Sequence, residues 1–125
     1  MPKGFIDFQS KTLNSEHRAI YDVDPGEVCA NIDKLHLIDV RRPEEFEGKL
    51  GHVPGSILLT LDYLPLKLNE LPSDKTIVFI CRSGHRSTQA TAFTIKNGFE
   101  SVFNMKGGMI LWNKLGLKIE RCGKF

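Results

Sequence analysis

Residues 76–87 read Thr-Ile-Val-Phe-Ile-Cys-Arg-Ser-Gly-His-Arg-Ser, and this stretch decides the fold class. Thr76–Ile80 is β-branched and apolar throughout, as a strand buried on both faces should be. The pattern stops at Cys81. A short glycine-containing loop follows, and Ser87–Asn97 reads as a helix. Ala90, Phe93 and Asn97 lie along one line of it, Ala92 and Ile95 lie beside them, and Asn97-Gly98 is its stop. A buried strand, a tight turn and a helix make the repeating unit of a parallel sheet.

The same unit recurs on either side. Asp24-Pro25 is an N-cap with proline at the first helical position, opening a helix to about Ile32. Leu35–Val40 is a strand candidate, and Pro43-Glu44-Glu45-Phe46 starts a short helix with acids in its first turn. Gly51–Gly55 is a turn-rich loop leading into Ser56–Leu59. Leu61–Leu68 has helical spacing, with Pro65 bending it or sitting in its first turn. Val102–Met105 reads as a strand and Met109–Leu115 as a helix. The expected fold is α/β, a mainly parallel sheet with helices on both faces, covering residues 19–125. Residues 1–18 are polar and show little periodicity, so they read as an N-terminal arm of little order.

The chain has 125 residues, enough for one core, with 41% hydrophobic and 26% charged residues, which excludes wholesale disorder. The 17 basic and 15 acidic side chains give a net charge of +2, too weak a balance to imply nucleic acid or a membrane surface. No sustained apolar run follows Lys3, so no secretory signal is expected, and a reducing cytoplasm is the default location. The cysteines are Cys29, Cys81 and Cys122, an odd number at wide spacing without a C-x-x-C pair. That pattern supports neither a disulfide framework nor a metal site, and no cofactor is called for.

The chemistry is expected at Cys81-Arg82-Ser83-Gly84-His85-Arg86. Ligands of open α/β sheets bind at the carboxyl ends of strands, where Cys81 lies. Gly84 permits the backbone curl that points successive N–H groups at one centre, and the helix start adds its own unpaired N–H groups. Arg82 and Arg86 add positive charge suited to an oxyanion. The same field favours the thiolate of Cys81. A strand-end cysteine is ordinarily inert; the arginines and the glycine argue for a nucleophile in an anion cradle.

At this loop the sequence resembles the single-domain rhodaneses, the thiosulfate sulfurtransferases. The resemblance covers about residues 20–118 and rests on three segments in the family's order: Ile38–Gly55 (IDVRRPEEFEGKLGHVPG), Cys81–Ser87 (CRSGHRS) and Met105–Trp112 (MKGGMILW). It implies a rhodanese-like fold and a two-step course. Cys81 takes the outer sulfur of thiosulfate or a persulfide donor, becomes a persulfide, and passes that sulfur to a thiol or cyanide. A sulfur-relay protein is a further candidate partner. The resemblance makes Cys81 the nucleophile. The backbone of Arg82, Ser83, Gly84, His85 and Arg86 is then the persulfide cradle, and the two arginines bind the donor's sulfonate.

Asp39 and Arg41 match the family's Asp-Val-Arg and are supporting residues. Asp39 either holds an arginine or caps a loop. His52 is expected to bond within its turn, Trp112 to anchor the core, and Gly107-Gly108 to allow a tight turn near the site. His85 is a rim position. Cys29 is expected to be packed. Cys122, in the tail Ile119–Phe125, is an idle thiol or a resolving one. Two other readings remain. Cysteine phosphatases and arsenate reductases use a similar loop one residue longer; the four residues between Cys81 and Arg86 make a smaller cradle. A non-catalytic binding module is the other, although such relatives usually lack the cysteine.

Overall fold

In the computed structural model, which describes residues 4–120, the strand expected at 76–80 is central and all five of its residues are buried. Side chains of a strand alternate between faces. Val78 and Ile80 enter one core with Leu35, Leu37, Met105 and Trp112. Ile77 and Phe79 enter another with Ile38, Leu64, Ala90 and Val102.

The strands are β1 (Thr12–Leu13), β2 (Tyr21–Val23), β3 (Leu35–Asp39), β4 (Ile57–Leu58), β5 (Thr76–Ile80) and β6 (Val102–Met105). They form one sheet in the order β1-β2-β6-β5-β3-β4, with β1 antiparallel to β2 and every other pairing parallel. The helices are α1 (Pro25–Ala30), α2 (Pro43–Phe46), α3 (Leu64–Lys67), α4 (His85–Lys96) and α5 (Gly108–Lys114). Val28 of α1 and Met109 and Trp112 of α5 fill the first core, and Leu64 of α3 and Ala90 of α4 fill the second. This is the α/β layering with helices on both faces that the sequence predicts.

Several local expectations are corrected. The helix expected to reach Ile32 ends at Ala30 and tightens into a 3-10 turn over Ile32–Lys34. The helix expected over 61–68 is broken into Leu61–Tyr63, α3 and Leu68–Glu70, with Pro65, which has no N–H to donate, in its middle piece. α4 starts two residues early because Gly84, at φ 112°, serves as its N-cap. Its buried face is Ser87, Thr88, Ala90, Thr91 and Thr94, not the line through Phe93 and Asn97. Small side chains let α4 lie close to the sheet, and the Thr88 and Thr91 hydroxyls bond back to the carbonyls of Gly84 and Ser87 at 2.6 and 2.7 Å.

The N-terminal stretch, expected as an arm of little order, is fastened to the domain from residue 4 onward. Phe8 is 3% exposed and meets the Phe103 ring edge-on at 5.2 Å. The Glu27 carboxylate accepts the Gln9 and Ser10 N–H groups, and Ile6 N–H donates to Thr76 Oγ1. These bonds are long-range, so no local period announces them. The tail is likewise docked as far as described: Glu120 pairs with His52, and Trp112 Nε1 donates to the Lys118 carbonyl at 2.9 Å. Cys122 lies outside the described residues.

Candidate active site

Alternation along β5 sends the Cys81 side chain to the same face as Ile77 and Phe79, the face covered by α4. The residue is only 1% exposed. Gly84 turns the loop back on itself, and its N–H donates to Cys81 Sγ at 3.0 Å. Ser87 Oγ lies 3.2 Å from the same sulfur. The sulfur therefore sits at the N-terminal end of α4, a helix of 12 residues, where the unpaired N–H groups and the dipole favour negative charge.

The loop backbone is held from behind by α5. Met109 N–H donates to the Cys81 carbonyl at 2.8 Å and Ile110 N–H to the Arg82 carbonyl at 3.0 Å. Gly107 and Gly108 form the expected turn, with φ of 72° and 57°. A side chain at Gly108 would collide with the Cys81 carbonyl and the Arg82 backbone, so the close approach of α5 requires glycine there.

The two loop arginines differ. Arg86 donates from Nη1 and Nη2 to the two carboxylate oxygens of Glu45 at 2.7 and 2.9 Å. Those bonds, foremost, hold the Glu45 carboxyl down to about 2; a backbone N–H from Arg42 and the charge of Arg41 act the same way, against burial. In return Glu45, and the charges of Cys81 and Asp39, push Arg86 upward. Arg86 thus keeps its charge beside the sulfur while its fork is engaged by Glu45. Arg82 is exposed and has no carboxylate partner among the described residues. It lines a cleft of about 280 Å³ with Arg41, Glu44, Glu45 and Lys49.

Asp39 and Arg41 form a buried pair behind this cleft, 0% and 1% exposed. Arg41 Nε and Nη2 donate to the Asp39 carboxylate at 2.9 and 2.8 Å, and Nη2 also reaches the Gly51 carbonyl. Asp39 accepts the Arg41 backbone N–H as well, so it both holds an arginine and caps the turn. Ser83 and His85 lie exposed on the rim, where His85 Nδ1 meets Glu16 at 2.8 Å. His52 is buried, stacked on Phe46, with Nδ1 on the Phe46 carbonyl. Cys29 is half-buried at the edge of the first core.

Four residues at the site were not singled out from the sequence: Glu45, read only as a helix start; Ser87; and Asn104 and Asp22 behind it. Asn104 carried a signal, since a polar residue inside an apolar strand needs a partner. Among the described residues no group of three or more His, Cys, Asp or Glu side chains could hold a metal ion, and no helix is long and apolar enough to cross a membrane.

The family model of the rhodanese-like domain matches residues 24–115. A sulfurtransferase of Allochromatium vinosum is 37% identical over 90 residues, which are 72% of this chain and 82% of that protein. A thiosulfate sulfurtransferase of Vibrio cholerae, GlpE, is 27% identical over 105 residues, covering 84% of this chain and 97% of that one. The crystal structure of a rhodanese-related protein from Thermoplasma volcanium superposes with a TM-score of 0.72 at 28% identity, covering 78% of this chain and 94% of that one. The family match and the sulfurtransferase relatives mark the class as the rhodanese-type sulfurtransferases. The chain belongs to the rhodanese-like domain family.

Proposed function

We propose that the protein moves a sulfane sulfur from thiosulfate, or from a persulfide donor, through a persulfide on Cys81 to a thiol or cyanide acceptor. The observation that carries this reading is Cys81 Sγ at the head of α4, bonded by the Gly84 N–H with the Arg86 charge beside it. The Cys81 thiolate attacks the outer sulfur of the donor. A new S–S bond forms, the donor's S–S bond breaks, and sulfite leaves with its electron pair. The acceptor then attacks the outer persulfide sulfur and Cys81 leaves as thiolate. Arg82, the loop arginine without a carboxylate partner among the described residues, binds the sulfonate end, and Arg86 supplies field. Asp39 and Arg41 shape the wall of the cleft. A reducing compartment such as the cytoplasm keeps the thiol available, and a sulfur-relay protein is a fitting acceptor.

Intact-mass measurement after incubation with thiosulfate tests this. One added sulfur on the native chain and none on Cys81→Ser is the expected result. Sulfur loading and transfer to cyanide that survive in Cys81→Ser would overturn it.

A further inference from the structure

Behind Cys81 runs a chain of buried polar side chains that the sulfur-transfer reading above does not use. Asp22 on β2 and Asn104 on β6 are register partners, and both point to the α4 face of the sheet. Asn104 Nδ2 donates to Asp22 Oδ1 at 2.9 Å, and Asn14 Nδ2 donates to the same oxygen at 2.8 Å. A carboxylate offers acceptors only, so it fixes which way the Asn104 amide faces: the amino group toward Asp22, the carbonyl away. That carbonyl meets Ser87 Oγ at hydrogen-bond distance. Ser87 and Asn104 are 0% and 2% exposed, so water does not substitute for either partner.

Ser87 has one hydroxyl proton and two possible acceptors, Asn104 Oδ1 and Cys81 Sγ. An amide oxygen carries no proton, so the bond to Asn104 exists only when Ser87 donates it. Turning that proton to the sulfur leaves a buried amide oxygen without a partner, which is costly. We propose that Asp22 and Asn104 are a positioning pair that claims the Ser87 proton, so that Ser87 meets the resting Cys81 sulfur with a lone pair and receives its S–H. The inference rests on Cys81 as the working thiol. It gives the site two opposed settings. The Gly84 N–H, the Arg86 charge and the head of α4 favour the thiolate, whereas Ser87, held by Asn104, favours the thiol. A second branch from Asp22 steadies the same loop: Asn14 Nδ2 reaches Thr88 Oγ1 at 3.0 Å, and Thr88 donates to the Gly84 carbonyl.

The charged groups on the elements around the sulfur are few. Arg86 of α4 is coupled to Cys81, with Glu45 of α2 and Asp39 of β3 beyond it, and the Asp22 carboxylate of β2 lies behind Asn104. Arg82 of the loop, His85 of α4 with Glu16, and Lys106 after β6 are exposed, and Arg41 is paired with Asp39. Asn104→Leu removes the competing acceptor and leaves every one of these charges in place.

The experiment is the rate of iodoacetamide alkylation at Cys81, located by peptide mass, as a function of pH. With Asn104→Leu the Ser87 proton is free to serve the thiolate, so the profile moves to lower pH and alkylation at pH 6 rises about three- to tenfold. In the Ser87→Ala background the same substitution has no further effect, since no hydroxyl is left to redirect. Asn104→Ala, which removes the same acceptor and also leaves the charges in place, carries the same pair of expectations should Asn104→Leu not fold. An unchanged profile, a shift to higher pH, or a shift that persists in Ser87→Ala would overturn the proposal. The assay needs no sulfur donor, so a protein that takes no sulfur from thiosulfate would end the proposed function without deciding this result.

Discussion

Arg86 and Glu45 are 41 positions apart and meet fork to fork, with two parallel bonds of 2.7 and 2.9 Å joining the head of α4 to α2. The pair ties the loop arginine to the wall of the cleft. Because the folded carboxyl lies at about 2 against an ordinary 4.5, it contributes stability that is complete above about pH 5 and is lost as pH falls toward 2. Thermal midpoints of the native chain should therefore drop more steeply over that window than those of Glu45→Gln. Parallel curves for the two proteins would show that the pair has no linkage to folding.

Arg82 is exposed at the cleft and has no carboxylate partner among the described residues. Arg82→Ala is expected to raise the thiosulfate KM about tenfold, with kcat within about twofold. Arg86→Ala should instead slow alkylation of Cys81 near neutral pH, since it removes the charge beside the sulfur. Steady-state kinetics and alkylation rates on both variants separate the two roles; equal effects on both measurements would contradict the division.

Gly108 has no room for a side chain against the loop backbone, and its φ of 57° is unfavourable for any other residue. Gly108→Ala should cost about 2 kcal/mol or more and disturb the loop that carries the nucleophile. Denaturant unfolding of Gly108→Ala, beside Gly98→Ala as a control with open space around it, measures the difference. Equal losses would mean that the contact with the loop contributes nothing beyond the positive φ.

Loop length separates sulfur transfer from phosphoryl transfer. A phosphoryl group needs space for three equatorial oxygens around the atom under attack. Inserting one glycine after Gly84 removes the short curl that brings the Gly84 N–H to the sulfur. Sulfur transfer should fall at least about tenfold, in line with the loss of a charge-assisted hydrogen bond. The native chain should leave aryl phosphates untouched. Efficient phosphatase turnover by the native protein would reverse the assignment.

β5 and β6 were legible because their residues are decided locally: Thr76–Ile80 is apolar throughout, and both boundaries of Val102–Met105 coincide with those observed. The loop was legible because its residue types are rare in combination. The buried face of α4 was not, since Ser87, Thr91 and Thr94 look like surface residues until the sheet lies against them. Glu45 carries the charge expected of any first helical turn, and only the return of the chain 41 residues later gives it Arg86. Residues 4–18 were misjudged for the same reason: Phe8 and Asn14 are defined by partners on β6 and α4.

The sheet order has a bearing on how the molecule comes off the ribosome. β6, the last of the six described strands along the chain, is inserted between β2 and β5. Until residue 105 has emerged, the hairpin of β1 and β2 has no parallel neighbour to join, and Asp22 has no Asn104 beside it. The Cys81 and Arg82 carbonyls wait longer still, for the N–H groups of Met109 and Ile110. The nucleophile is translated well before the strand that closes the sheet, and long-range pairings of this kind form late and slowly. A nascent chain halted before β6 carries the thiol but neither its backing strand nor the α5 bonds that hold its loop, so the reactive pocket is completed only after residue 110 has emerged.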